Sequence, residues 1–103
     1  MSVNPKLRDP DVDRLFQAIL TLRSLDEYYR VFEDLCTINE IKSLASRLKA
    51  AFMLSEGKTY DEIEHSTGMS TATISRVKRF LHYGADGYKL VIERMGKTVP
   101  PEV

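Results

Sequence analysis

Residues 60–81 read YDEIEHSTGMSTATISRVKRFL, and this stretch decides the fold. Tyr60–Thr67 suits a short helix, and Gly68 follows where a helix stops and the chain can reverse. Met69 then leads into a second helix from Ser70 to Leu81, opened by a hydroxyl suited to an N-cap. Ile74 and Val77 are three apart and share one face, and a sharp turn at Gly68 folds Ile63 and Met69 back towards them. The spacing predicts a helix-turn-helix. Its outward face would carry Thr71, Ala72, Ser75 and Arg79, small or hydroxyl-bearing at the start and basic at the end. A helix in the major groove brings its N-terminal residues to base edges, so small polar side chains there permit close approach. Ser70 as N-cap also leaves backbone N–H groups free for a phosphate.

Charge divides along the same stretch. Residues 70–82 hold Arg76, Lys78 and Arg79 and no acid, whereas residues 59–65 hold Asp61, Glu62 and Glu64 and no Lys or Arg. Basic residues late in a helix also arise simply to complement its dipole. The apolar spacing around Gly68 and the Ser-Thr-Ala-Thr start are what favour a DNA-reading helix. The acidic first helix opposes that reading, because it would lie near phosphates.

Upstream, the pattern stays helical and the starts are well marked. Ser24-x-x-Glu27, Thr37-x-x-Glu40 and Thr59-x-x-Glu62 have capping-box spacing, and Asp9-Pro10 pairs a capping acid with proline at the first helical position. Apolar stripes of helical period follow each start. The first is Val12, Leu15, Phe16, Ile19 and Leu20, the second Leu25, Tyr28, Tyr29 and Phe32. Ile41, Leu44, Ala45, Leu48, Ala51 and Phe52 form the third and longest. A last helix is expected from about Ala85 to Met95, with Tyr88, Val91 or Ile92, and Met95 inward. The fold class expected is all-α, about six helices in residues 10–96, with residues 1–9 a flexible N-terminal arm and residues 97–103 a flexible tail.

Composition sets the outer limits. The chain has 103 residues, 15 Lys+Arg and 15 Asp+Glu, so its formal net charge is zero, which argues against coating nucleic acid by bulk attraction but leaves room for a local basic surface. Only nine residues are Gly or Pro and 29% are charged, which fits one folded domain and neither disorder nor a fibre. The lone Cys36 excludes an internal disulfide and a cysteine metal cluster, and a reducing, cytoplasmic setting is expected. The longest apolar run, Ala50 to Leu54, is far short of the ~20 residues of a membrane span. Asp9, Asp11 and Asp13 near the start argue against a secretion signal.

From Leu35 to Leu81 the chain reads LCTINEIKSLASRLKAAFMLSEGKTYDEIEHSTGMSTATISRVKRFL, and this resembles the Trp repressor superfamily. It is most similar to the small YerC/YecD Trp-repressor-related family, over about residues 10–95, including YRVFEDLCTINEI and STATISRVKRFLHYG. The resemblance implies an intertwined all-helical homodimer in which the first three helices and the last interlock with a second copy. It places Thr71, Ala72 and Ser75 at the base-approaching positions and puts Glu64 where Trp repressor has a basic residue that aids DNA binding.

The resemblance also implies a ligand pocket. The two arginines that hold the indole in Trp repressor fall on Arg47 and Arg76, and a threonine near the ligand falls on Thr37. The glycine that makes room for the ring is Val77 here, and a small hydroxyl residue is Phe80. The pocket is therefore expected to be vestigial. Arg47 and Arg76 have a plainer account as surface arginines paired with helix acids.

No enzyme is expected. Ser70 and Ser75 have no triad partners, no Gly-rich phosphate loop exists, and His65 and His82 stand apart with no metal-ligand spacing. Cys36, just before the Thr37 cap, is better suited to packing than to reacting. No cofactor and no membrane partner are expected. The function expected is sequence-specific binding of double-stranded DNA by a homodimeric transcriptional regulator, a repressor by analogy. Ser70, Thr71, Ala72, Ser75, Arg76, Lys78 and Arg79 would meet the DNA. The rivals are a helical adaptor that has lost DNA binding, and a sensor of a small molecule other than tryptophan.

Overall fold

The computed structural model describes residues 3–96; the expected tail at 97–103 and the first two residues of the expected arm lie outside them. Six α-helices and no strand occur among the described residues. They are α1 (Pro10–Ile19), α2 (Leu25–Leu35), α3 (Ile38–Ser55), α4 (Tyr60–Thr67), α5 (Thr71–Tyr83) and α6 (Gly87–Met95). Within the expected arm, Pro5–Leu7 forms a single 3-10 turn, with the Asn4 side chain accepting from the Lys6 N–H at 2.9 Å.

Helices α1 to α5 each begin at a side-chain cap. Asp9 Oδ1 accepts from the N–H groups of Asp11 and Val12 at 2.8 and 3.0 Å, with Pro10 first in α1. Thr37 and Glu40 form a complete box at the start of α3: Glu40 Oε1 accepts from the Thr37 N–H at 2.8 Å, and Thr37 Oγ1 from the Glu40 N–H at 3.1 Å. Thr59 and Glu62 repeat it on α4. Ser24 caps α2, but Glu27 reaches one residue further back than the box requires, to the Arg23 N–H.

The chain divides into two compact units, one ending at Lys42 and one beginning at Ser43. In the first, the apolar stripes of α1 and α2 form as expected but are largely uncovered; Leu20, Leu25 and Tyr29 are 72–82% exposed. In the second, a core forms from Ala50, Ala51 and Met53 of α3, Ile63 of α4, and Ile74 and Val77 of α5. Tyr60, Met69, Tyr88 and Ile92 pack against it. The α3 stripe is buried only near its C-terminal end, since Leu44 and Ala45 are exposed.

The α5–α6 connection differs from expectation in a way the backbone explains. Gly84 ends α5, and a Cβ there would lie 2.4 Å from the Phe80 carbonyl oxygen, so no other residue fits without a shift. Asp86 then takes the left-handed region at φ 66°, which a right-handed helix cannot contain. The last helix therefore starts at Gly87 and not at Ala85. Met95, expected inward, is 43% exposed.

The capping boxes predict a pH-dependent contribution to stability. Hydrogen bonds from the Thr59 backbone and side chain hold the Glu62 carboxyl below its ordinary value of 4.5, and Thr37 does the same for Glu40. A carboxyl depressed on folding stabilises fully above its unfolded value, and that contribution disappears as pH falls through the folded one. Thr59→Ala should cost about 1 kcal/mol at pH 7. The titrating part belongs to the Glu62 carboxyl, whose main donor is the Thr59 backbone N–H, so thermal melts should show the gap between Glu62→Gln and the parent narrowing below pH 4.5, and a gap of constant size would refute that contribution.

Candidate nucleic-acid interface

The turn between α4 and α5 is fixed by three local devices. Gly68 sits at φ 72°, a conformation that L side chains rarely adopt, and its N–H donates to the Glu64 carbonyl at 2.8 Å. Thr67 Oγ1 donates to the Ile63 carbonyl at 2.7 Å and accepts from the Met69 N–H at 3.1 Å. Ser70 then caps α5 by accepting from the Thr73 N–H at 3.2 Å. The predicted helix-turn-helix is present.

Burial sorts α5 into two faces. Ile74, Val77 and Leu81 are buried, at spacings of three and four. Thr71, Ala72, Ser75, Arg76, Lys78 and Arg79 are all exposed, as expected. Fully burying an aliphatic side chain such as Ile74 contributes about 1.5–3 kcal/mol, so the helix is held by its inner face whatever its outer face does.

The outer side chains are held by contacts that sequence spacing alone did not suggest. The Thr71 hydroxyl donates to the Glu64 carboxylate. Tyr60 Oη lies 3.2 Å from Ser75 Oγ, and the Tyr60 ring centroid is 5.8 Å from the Lys78 ammonium. The guanidinium groups of Arg76 and Arg79 lie 5.8 and 5.5 Å from the Phe80 ring centroid. Cations over aromatic faces gain about 0.5–1 kcal/mol each at exposed sites, enough to bias their positions while leaving the charges open to solvent. Among the described residues neither arginine is paired with an acid. The ion pairs among the described residues are Asp26–Arg30 and Asp86–Lys89.

Arg47, Arg76, Val77 and Phe80, four of the five expected pocket residues, meet around a cleft of about 330 Å³ that Ser43, Thr73 and Tyr88 complete. Thr37 is not among its lining residues; its hydroxyl and N–H are engaged in starting α3. Arg47 is steadied within its own helix, Nη2 donating to Ser43 Oγ at 3.1 Å. Val77 is only 2% exposed, so it belongs to the core as well as to the cleft wall. Among the described residues no group of His, Cys, Asp and Glu could hold a metal ion, and no helix is long and apolar enough to cross a membrane.

The family model for the Trp repressor protein matches residues 10–96. The chain belongs to the Trp repressor family. It is 59% identical to the Bacillus subtilis (strain 168) "Uncharacterized protein YerC" over 93 residues, covering 90% of this chain and 89% of that one. A crystal structure of a TrpR like protein from Eubacterium eligens ATCC 27750 superposes with a TM-score of 0.89 at 57% identity, covering 94% of this chain and all of that one. A second crystal structure, from Staphylococcus aureus, gives a TM-score of 0.87 at 50% identity over 96% of this chain and all of that one.

The two faces of α5 differ in what substitution should do. Ile74→Ala should lower stability by about 2–5 kcal/mol, because a fully buried side chain leaves a cavity. Ala72→Ser, on the outer face, should change it by no more than about 0.5 kcal/mol. Urea unfolding at one protein concentration measures both, and equal costs would mean that the outer face is not free.

Proposed function

We propose that this chain is a sequence-specific, double-stranded-DNA-binding transcriptional regulator, a repressor by analogy with its family, acting in the cytoplasm as a homodimer. The observation that carries the reading is the outer face of α5. It is free of acids, carries Arg76, Lys78 and Arg79, and presents small side chains at its N-terminal end, where a recognition helix meets bases. Ser70, Thr71, Ala72 and Ser75 would lie nearest the base edges and the leading phosphate. Arg79, at the basic end, would meet the backbone. Net charge zero implies that affinity depends on this local patch and on two copies binding together.

The uncovered stripes of α1 and α2 support the dimer. Exposed apolar side chains at helical spacing on two successive helices are what a second copy would cover. Melting temperature should then rise with protein concentration, and light scattering should give twice the chain mass at micromolar concentration. A monomer at that concentration would remove the dimer from this reading.

DNA binding has its own test. Arg79→Ala should weaken binding to all sequences alike and reduce the slope of log affinity against log salt by about two, one for each protomer. If the parent shows no salt-dependent shift of duplex DNA, the chain is instead a helical adaptor, the role that the acidic α4 would suit.

Tryptophan is not the corepressor in this reading. Val77 offers two methyl groups where the family's ring-accommodating glycine would be, and its burial leaves it no room to move aside. Phe80 offers no acceptor to a ligand ammonium, and burying that charge unpaired would cost several kcal/mol. Titration calorimetry with millimolar L-tryptophan should show no saturable heat, and DNA affinity should be the same with and without it. The cleft between Arg47 and Arg76 does leave room for a sensor of another small molecule, a role that a ligand-dependent change in DNA affinity would reveal.

A further inference from the structure

We propose that Glu64 sets the base preference of the recognition helix by fixing which way the Thr71 hydroxyl points. This rests on the DNA-binding reading above. A threonine hydroxyl carries one proton and two acceptor lone pairs, so left free it can meet either a donor or an acceptor on a base edge. Here its proton is directed at the Glu64 carboxylate. An ionised carboxylate only accepts, so the bond has one polarity. Thr71 Oγ1 is left to present lone pairs to whatever approaches the start of α5, beside a carboxylate that also demands donors.

In the major groove the donors are the exocyclic amino groups, N6 of adenine and N4 of cytosine; guanine O6 and N7 and thymine O4 are acceptors. An acceptor facing Thr71 would be left unpaired as water is excluded, a loss the site cannot recover. The Glu64–Thr71 pair therefore selects an amino base, adenine or cytosine, on the strand that Thr71 faces. Ser75 supplies an internal contrast. Its partner is the Tyr60 hydroxyl at 3.2 Å, where either oxygen can be the donor, so Ser75 keeps both polarities and imposes no such choice. Glu64 is a positioning residue that acts through Thr71. Its negative charge also disfavours phosphate, so it trades general affinity for discrimination.

The test is selection of bound sequences from a random duplex pool, using the full chain, Glu64→Gln and Thr71→Val, each first shown to be folded by circular dichroism. The parent should enrich adenine or cytosine over guanine and thymine by at least about fivefold at one position per half-site. Glu64→Gln should flatten that position to within about twofold, because a carboxamide can donate to Oγ1 and release its proton towards the base. Thr71→Val should flatten the same position, and the remaining positions should be unchanged in both variants. An unchanged profile in Glu64→Gln would overturn the proposal while leaving DNA binding intact, as would guanine or thymine at the position that Thr71→Val flattens. A parent that enriches no sequence would overturn the DNA reading itself, and this proposal with it.

Discussion

The packing of Ile63 against Ile74 and Val77 across the Gly68 turn is the constraint on which the rest of this unit depends. All three side chains are at most 2% exposed, and they come from helices separated by a turn of three residues. A turn that short allows few crossing geometries, and only a residue tolerant of φ 72° closes it without strain. Once Ile74 and Val77 are committed to the core, the rotational setting of α5 is decided. Thr71, Ala72, Ser75 and Arg79 then face outward because 3.6 residues per turn leaves them nowhere else to go.

That setting brings two helices of opposite charge side by side. An acidic α4 next to a basic α5 is favourable within the molecule and unfavourable towards a polyanion. The conflict is resolved by where the contacts fall. Glu64 faces the hydroxyl at the start of α5, while Tyr60 offers a ring to Lys78 and an oxygen to Ser75. The late cations of α5 stay clear of the acids, two of them biased by the Phe80 ring. Aromatic partners orient a cation without neutralising it, so the patch keeps its positive charge.

Much of this was legible in the sequence because it is governed by short-range rules. Caps depend on residues two or three apart, and the helix-turn-helix on an apolar spacing around one glycine. What could not be read is what depends on the angle between helices. Glu64 to Thr71 spans seven residues and Tyr60 to Ser75 fifteen, and neither spacing has meaning until the Gly68 turn is built. The acidic α4 was visible as a charge run but not as a partner for particular hydroxyls. Smaller misses have the same character. The left-handed Asp86 moved the start of α6 by two residues, and Glu27 reached past Ser24 to Arg23. Ala50 and Met53, outside the expected α3 stripe, were drawn into the core by α4 and α5 packing on that end of the helix.

Val77 is the point at which α5 and the cleft cannot be separated. It is one of the core residues that hold α5, and it also forms part of the wall between Arg47 and Arg76. A smaller side chain there would open the cleft and loosen α5 together. A ligand that fills such a gap restores the missing contact, which is how binding in the cleft can be coupled to the posture of the helix. With valine the contact is built in. The helix is then braced by the chain's own core, and a ligand in the cleft beside it finds no gap at this position to fill.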